Sequence, residues 1–82
     1  MGLDFVEIIL ELEEEFQISI PDSKAQNLTT VEKLSFYIFA HSKGKTEAHT
    51  LEIVKEVCSK VLAIPIQKIK PNSRFIEDLH TY

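Results

Sequence analysis

Leu3 to Phe16, L-D-F-V-E-I-I-L-E-L-E-E-E-F, is the stretch that most constrains what this chain can fold into. Set on a helix of 3.6 residues per turn, it divides into two faces. Phe5, Val6, Ile8, Ile9, Leu12 and Phe16 share one broad apolar side. Asp4, Glu7, Glu11, Glu14 and Glu15 share the other, and no Lys or Arg interrupts them. Glu13 falls on an edge of the apolar side, and Leu3 and Leu10 line the seam between the faces. Two readings stand for the acidic side: a solvated face on a core helix, or a docking stripe for basic partners. A face built for solubility mixes signs through i,i+4 pairs. An unbroken acidic stripe edged by leucines suits docking.

The remaining segments give more helices. Ile18 and Ile20 alternate out of the first helix, and Pro21-Asp22 makes a turn. Asp22-Ser23 is a candidate cap for a short helix near 23–28, with Leu28 as its core anchor. Thr29-Thr30-Val31-Glu32 reads as a capping box, Thr29 at the N-cap and Glu32 at N3. The helix it opens, over about 30–40, turns Val31, Leu34, Ile38 and Phe39 inward. Residues 42–49 are polar, contain Gly44 and read as a linker whose end is already helical, with Thr46 as candidate N-cap. Leu51, Val54, Val57, Cys58, Val61 and Leu62 then repeat at helical spacing, predicting a helix over 48–62. Pro65 ends it, because the residue before proline avoids the α region. A long loop to Ser73 follows, anchored by Ile66 and Ile69, and Ser73–Leu79 holds one helical turn.

Eighty-two residues make one small domain, near the lower limit for a self-sufficient core. No apolar run approaches the roughly 20 residues that span a bilayer, and no secretory signal is present. The single cysteine, Cys58, precludes an internal disulfide, fits a reducing compartment, and sits among core positions as an inert thiol. A cytoplasmic location is expected. Residues 1–41 carry eight acids against two lysines, a net of −6, whereas residues 42–82 carry seven bases against five acids, a net of +2. Nucleic acid is not expected as a partner of the first half. His41, His49 and His80 are isolated in sequence, so no metal site is expected, and no spacing supports a catalytic constellation.

Taken together, these motifs resemble acyl carrier proteins, in the wrong chain order. L-D-F-V-E-I-I-L-E-L-E-E-E-F-Q-I-S-I-P-D followed by L-T-T-V-E-K-L-S-F-Y-I is similar to that family's second half. L-E-I-V-K-E-V-C-S-K-V-L-A-I-P-I-Q-K-I-K-P-N-S-R-F-I-E-D-L is similar to its first half. Joining Tyr82 to Gly2 gives D-L-H-T-Y-G-L-D-F-V-E, which matches the family's D-L-G-x-D-S-L-D-x-V-E. The resemblance implies an all-α, small four-helix bundle, circularly permuted and opened at the attachment serine. Residues 1–41 then correspond to family helices II–IV, 42–49 to a linker, and 50–82 to helix I and its following loop.

Members of the family are not enzymes. They carry acyl chains on a 4′-phosphopantetheine arm attached to that serine and dock to fatty acid synthesis enzymes. The resemblance implies Leu3, Asp4, Glu7, Leu10, Glu11, Glu13 and Glu14 as docking residues. It implies Phe5, Val6, Ile9, Leu12, Ile20 and Leu28 as the wall that shelters an acyl chain, unless these six are plain core. Gly2 stands where the serine belongs and has no hydroxyl, so no covalent arm is expected. The alternatives are a carrier-like interaction module, or a tandem-carrier fragment whose halves pair as a swapped dimer. A short linker favours the monomer.

Overall fold

The computed structural model describes residues 3–81, which form four α-helices and no strand. They are α1 (Leu3–Phe16), α2 (Asp22–Ala25), α3 (Val31–His41) and α4 (Glu47–Leu62), followed by a 3-10 turn at Ile66–Lys68. The all-α bundle read from the periodicity is the observed architecture. Helix α4 packs against both α1 and α3. The Cα radius of gyration is 11.3 Å, against about 12 Å for a fully packed chain of this length. The two halves therefore close on one shared core.

That core follows from the apolar faces. Helix α1 buries Phe5, Ile8, Ile9, Leu12 and Phe16; α3 buries Val31, Leu34 and Ile38; α4 buries Val54, Val57 and Cys58. Ile20, Ile69, Phe75 and Leu79 complete it from the loops. Burial pushes the Cys58 thiol up to about 12, so it stays protonated and inert at neutral pH. Phe39, expected inward, is 38% exposed. Ser35, four residues earlier on the same side of α3, is buried instead. Ile66, expected as a loop anchor, is only half-buried.

The helix ends show where local reading and tertiary structure part. Thr46 caps α4 as expected, its hydroxyl accepting from the His49 amide at 3.1 Å. The capping box at Thr29 does not form. Thr30 is the N-cap of α3 and accepts from the Lys33 amide at 3.1 Å. The free amides of the first turn go elsewhere: Val31 N donates to Ser73 O at 3.0 Å, and Glu32 N to Pro71 O at 2.7 Å. Thr29 contributes its carbonyl to the Phe75 amide at 3.0 Å. The loop from a distant part of the sequence thus adds to the Thr30 cap and takes the Glu32 amide that a Thr29 cap would have bonded. At α2, Pro21 holds the N-cap position with no side-chain cap, and its carbonyl receives the Lys24 and Ala25 amides.

Helices α1 and α4 both exit through a left-handed residue that is not glycine, Gln17 at φ 55° and Ala63 at φ 56°. In each, the next amide returns to a carbonyl five residues back, Ile18 N to Glu13 O and Ile64 N to Ser59 O. Chain direction after α1 is held by Glu13, whose carboxylate accepts from the Ile20 amide at 2.7 Å. Helix α4 thus ends at Leu62 through Ala63, and Pro65, expected to end it, instead caps the start of the 3-10 turn Ile66–Lys68.

Candidate docking face and apolar cavity

Two features stand out on the molecule. The first is the outer side of α1. Leu3, Glu7, Leu10 and Glu14 follow one another at i, i+4, i+7 and i+11, so they form one line along the helix. Leu3 is 84% and Leu10 58% exposed, with Glu7 and Glu14 open beside them. Leucines so exposed on a helix with a full apolar face of its own are not core residues.

The other acids expected in this face differ from it. Asp4 is half-buried. Glu11 forms an ion pair with Lys60 of α4 at 2.7 Å. The hydrogen bond to Glu11, then its charge, holds the Lys60 ammonium above the ordinary lysine pKa, and Glu15 and Glu14 add to this. Glu13 is half-buried and committed to the Ile20 amide. Within α1 no base meets the acids, as the sequence indicates; the fold supplies one from forty-nine residues away. The freely accessible stripe is therefore Leu3, Glu7, Leu10 and Glu14, with Glu15 nearby.

The second feature is a cavity of about 440 Å³. It lies where the start of α1, the α2–α3 connection and residues 74–81 meet. Phe5, Ala25, Leu28, Phe75 and Ile76 supply its apolar wall, and Lys33, Arg74, Glu77 and the threonines 29, 30 and 81 its polar edge. The Phe5 and Phe75 rings meet edge-on with centroids 4.9 Å apart. Of the six residues expected to shelter an acyl chain, Phe5 and Leu28 line this cavity. Ile9, Leu12 and Ile20 pack in the core, and Val6 is half-buried; none of the four lines it.

Residues 74–81 are fixed tightly enough to make a wall. The Arg74 guanidinium grips the Asp78 carboxylate at 3.1 and 3.2 Å, and the Arg74 amide donates to the same carboxylate at 2.8 Å. These bonds hold the Asp78 carboxyl below the usual carboxylate range. Thr81 folds back, its amide and hydroxyl both donating to Phe75 O at 2.9 and 2.8 Å. No cue within 74–79 alone signals the cavity, since its lining comes from three separate stretches. The signal the sequence did carry is the resemblance, which implied Phe5 and Leu28 as an acyl-sheltering wall.

Gly2, where the family's attachment serine belongs, and Tyr82 lie outside the described residues. Their neighbours on the chain do come together, since Phe5 and Thr81 line the same cavity. Ser23, in the one Asp-Ser pair, is exposed in the first turn of α2. No group of three or more metal-ligating side chains occurs among the described residues. None of their helices is long and apolar enough to cross a membrane.

The comparisons with known proteins agree with the resemblance. The chain is 42% identical over 46 residues to an acyl carrier protein of Cyanidioschyzon merolae. The match covers 56% of this chain and spans half the length of that relative. No family model matches the chain, and no solved structure matches it at a significant level.

Proposed function

We propose that this chain is an acyl-carrier-type docking module of fatty acid biosynthesis, with the family's two halves in exchanged order and no attachment serine. It is not an enzyme on this reading: it presents a surface to synthesis enzymes that carry basic patches. The observation that carries the proposal is the open line of Leu3, Glu7, Leu10 and Glu14 on a chain similar to an acyl carrier protein. Acids supply long-range attraction and orientation, and the exposed leucines supply apolar contact once the partner is seated.

The arm is a separate matter. A 4′-phosphopantetheine group, when bound, supplies the thiol that holds an acyl chain as a thioester. Its attachment needs a side-chain hydroxyl, and Gly2 has none. The residue at the family's position does not fit the group, so the chain is proposed to dock without it. The exchanged order is supported by α4 packing on both α1 and α3 and by Phe5 and Thr81 sharing one cavity wall. The five residues 42–46 between α3 and α4 are enough to connect the halves within one chain.

The test is titration against a fatty acid synthesis enzyme with a basic docking patch, at low and high salt. Binding that falls steeply with salt, and is lost in Glu7→Lys plus Glu14→Lys, is expected. A double variant that binds as well as the starting chain makes the stripe a solvated face. Incubation with coenzyme A and a broad-specificity phosphopantetheinyl transferase should give no mass gain. A stoichiometric gain overturns the missing-site reading and directs attention to Ser23. Light scattering should give a monomer, and a stable dimer would favour halves exchanged between chains.

A further inference from the structure

We infer that a second cleft, where α3 meets the start of α4 beside Pro71, receives an arginine side chain of a basic partner. This goes beyond the docking stripe and does not rest on it, since no residue of α1 lines the cleft. Its volume is about 370 Å³, at the low end of small-ligand sites, roughly 300–1,000 Å³. Phe36, Leu51 and Pro71 make most of its apolar wall, and Phe36 is left 50% exposed.

Two carboxylates share the edge, Glu32 from α3 and Glu47 from α4. Both are exposed, and neither enters an ion pair among the described residues. Each sits in the first turn of its helix, where the helix dipole favours an acid. The dipole accounts for acids at these positions, but not for Ser35.

Ser35 lines the same cleft. It is 2% exposed, yet its hydroxyl has no hydrogen-bond partner among the described residues. No fully enclosed side-chain polar atom among them lacks a partner, so the Ser35 hydroxyl opens on the cleft. A hydroxyl withdrawn from bulk water and left unbonded costs stability. A donor entering the cleft satisfies it.

These groups define the occupant: a cation with several donors on an apolar stem. A guanidinium carries five N–H donors in a planar fork, enough for two carboxylates and a hydroxyl. It is more weakly hydrated than an ammonium and stacks on aromatic rings such as Phe36. Its methylene stem suits the apolar wall.

The experiment uses the isolated chain at low salt, with no enzyme present. A blocked glycine-arginine-glycine tripeptide is titrated and followed by amide chemical shifts. Tripeptides with citrulline or lysine in the centre serve as neutral and ammonium analogues. Saturable shifts are expected at Ser35, Phe36, Ala48 and Leu51. The arginine tripeptide should bind about tenfold tighter than the citrulline one and about twofold tighter than the lysine one. Glu32→Gln plus Glu47→Gln should weaken it about tenfold, and the exposure of both positions keeps that variant folded. Ser35→Ala should weaken it about fivefold and leave the urea midpoint unchanged or raised, since no bond of the fold is lost. The inference is overturned by absence of saturable binding, by shifts confined to α1, or by equal affinity for arginine and citrulline. Affinity that survives the double Gln variant or Ser35→Ala, or a lysine tripeptide that binds as tightly, overturns it as well.

Discussion

The outer stripe of α1 and the cavity beside its first turn are near neighbours, yet they are built in opposite ways. The stripe comes from one continuous helix, and its spacing follows from 3.6 residues per turn. The cavity is assembled from residues as distant as Phe5 and Thr81, and its shape rests on hydrogen bonds between loops. The stripe is acidic and convex; the cavity is apolar, concave and edged by Lys33 and Arg74. A face carried by one helix survives any rearrangement that keeps the helix. A site carried by several loops exists only when the whole fold closes.

The comparison can be broken most severely at Leu12, which is fully buried on the inner side of α1. Leu12→Ala should destabilise the chain by about 2–5 kcal/mol in urea denaturation. Leu10→Ala, two residues away on the stripe, should change stability by less than about 0.5 kcal/mol. A comparable loss from Leu10→Ala would mean that the stripe is part of the core.

Neighbouring acids offer a second contrast. Glu13→Ala removes the acceptor of the Ile20 amide and should cost about 1–2 kcal/mol by thermal or urea unfolding. Glu14→Ala should be neutral for stability and weaken only docking. Equal effects of the two would remove the division between fold-forming and docking acids.

A third test concerns the helix exits rather than either surface. Ala63→Gly relieves the left-handed conformation and should stabilise the chain by about 1 kcal/mol. No gain would show that the Ser59 hydroxyl, bonded to Ile64 O at 2.6 Å, already compensates for the strain.

The smallest effect is expected at the cavity wall on acidification. The Asp78 carboxyl has a folded-state pKa below its unfolded value, through its bonds to Arg74. Its contribution is fully present above about pH 4, the ordinary Asp value, and is lost as pH falls through the lowered one. Amide exchange at Leu79 and Thr81, followed downward from pH 5, should quicken in that window ahead of exchange in α1 and α4. Simultaneous loosening everywhere would show that the wall has no separate identity.

The helices were legible because each carries its own apolar period, and the bundle follows from their need to bury those faces together. Thr46 was legible as a cap because its bond to the His49 amide spans three residues and is readable in a local window. Thr29 was misread because Pro71 and Ser73 supply carbonyls to the α3 amides, and a backbone acceptor forty residues away leaves no mark in a local window. Glu11 looked free for the same reason, its partner being Lys60.

By itself, then, the sequence determined most of the inward-facing helix residues, Phe39 and Ser35 excepted, where α1 is acidic, and the resemblance carried by its motifs. These properties depend on neighbours within a turn or two of helix. The tertiary structure alone decided which acids remain open, which four of the six shelter residues are not cavity lining, and that a cavity with a lysine at its mouth exists. Each of those depends on the distance between groups far apart in the chain, and such distances are fixed only when the core closes.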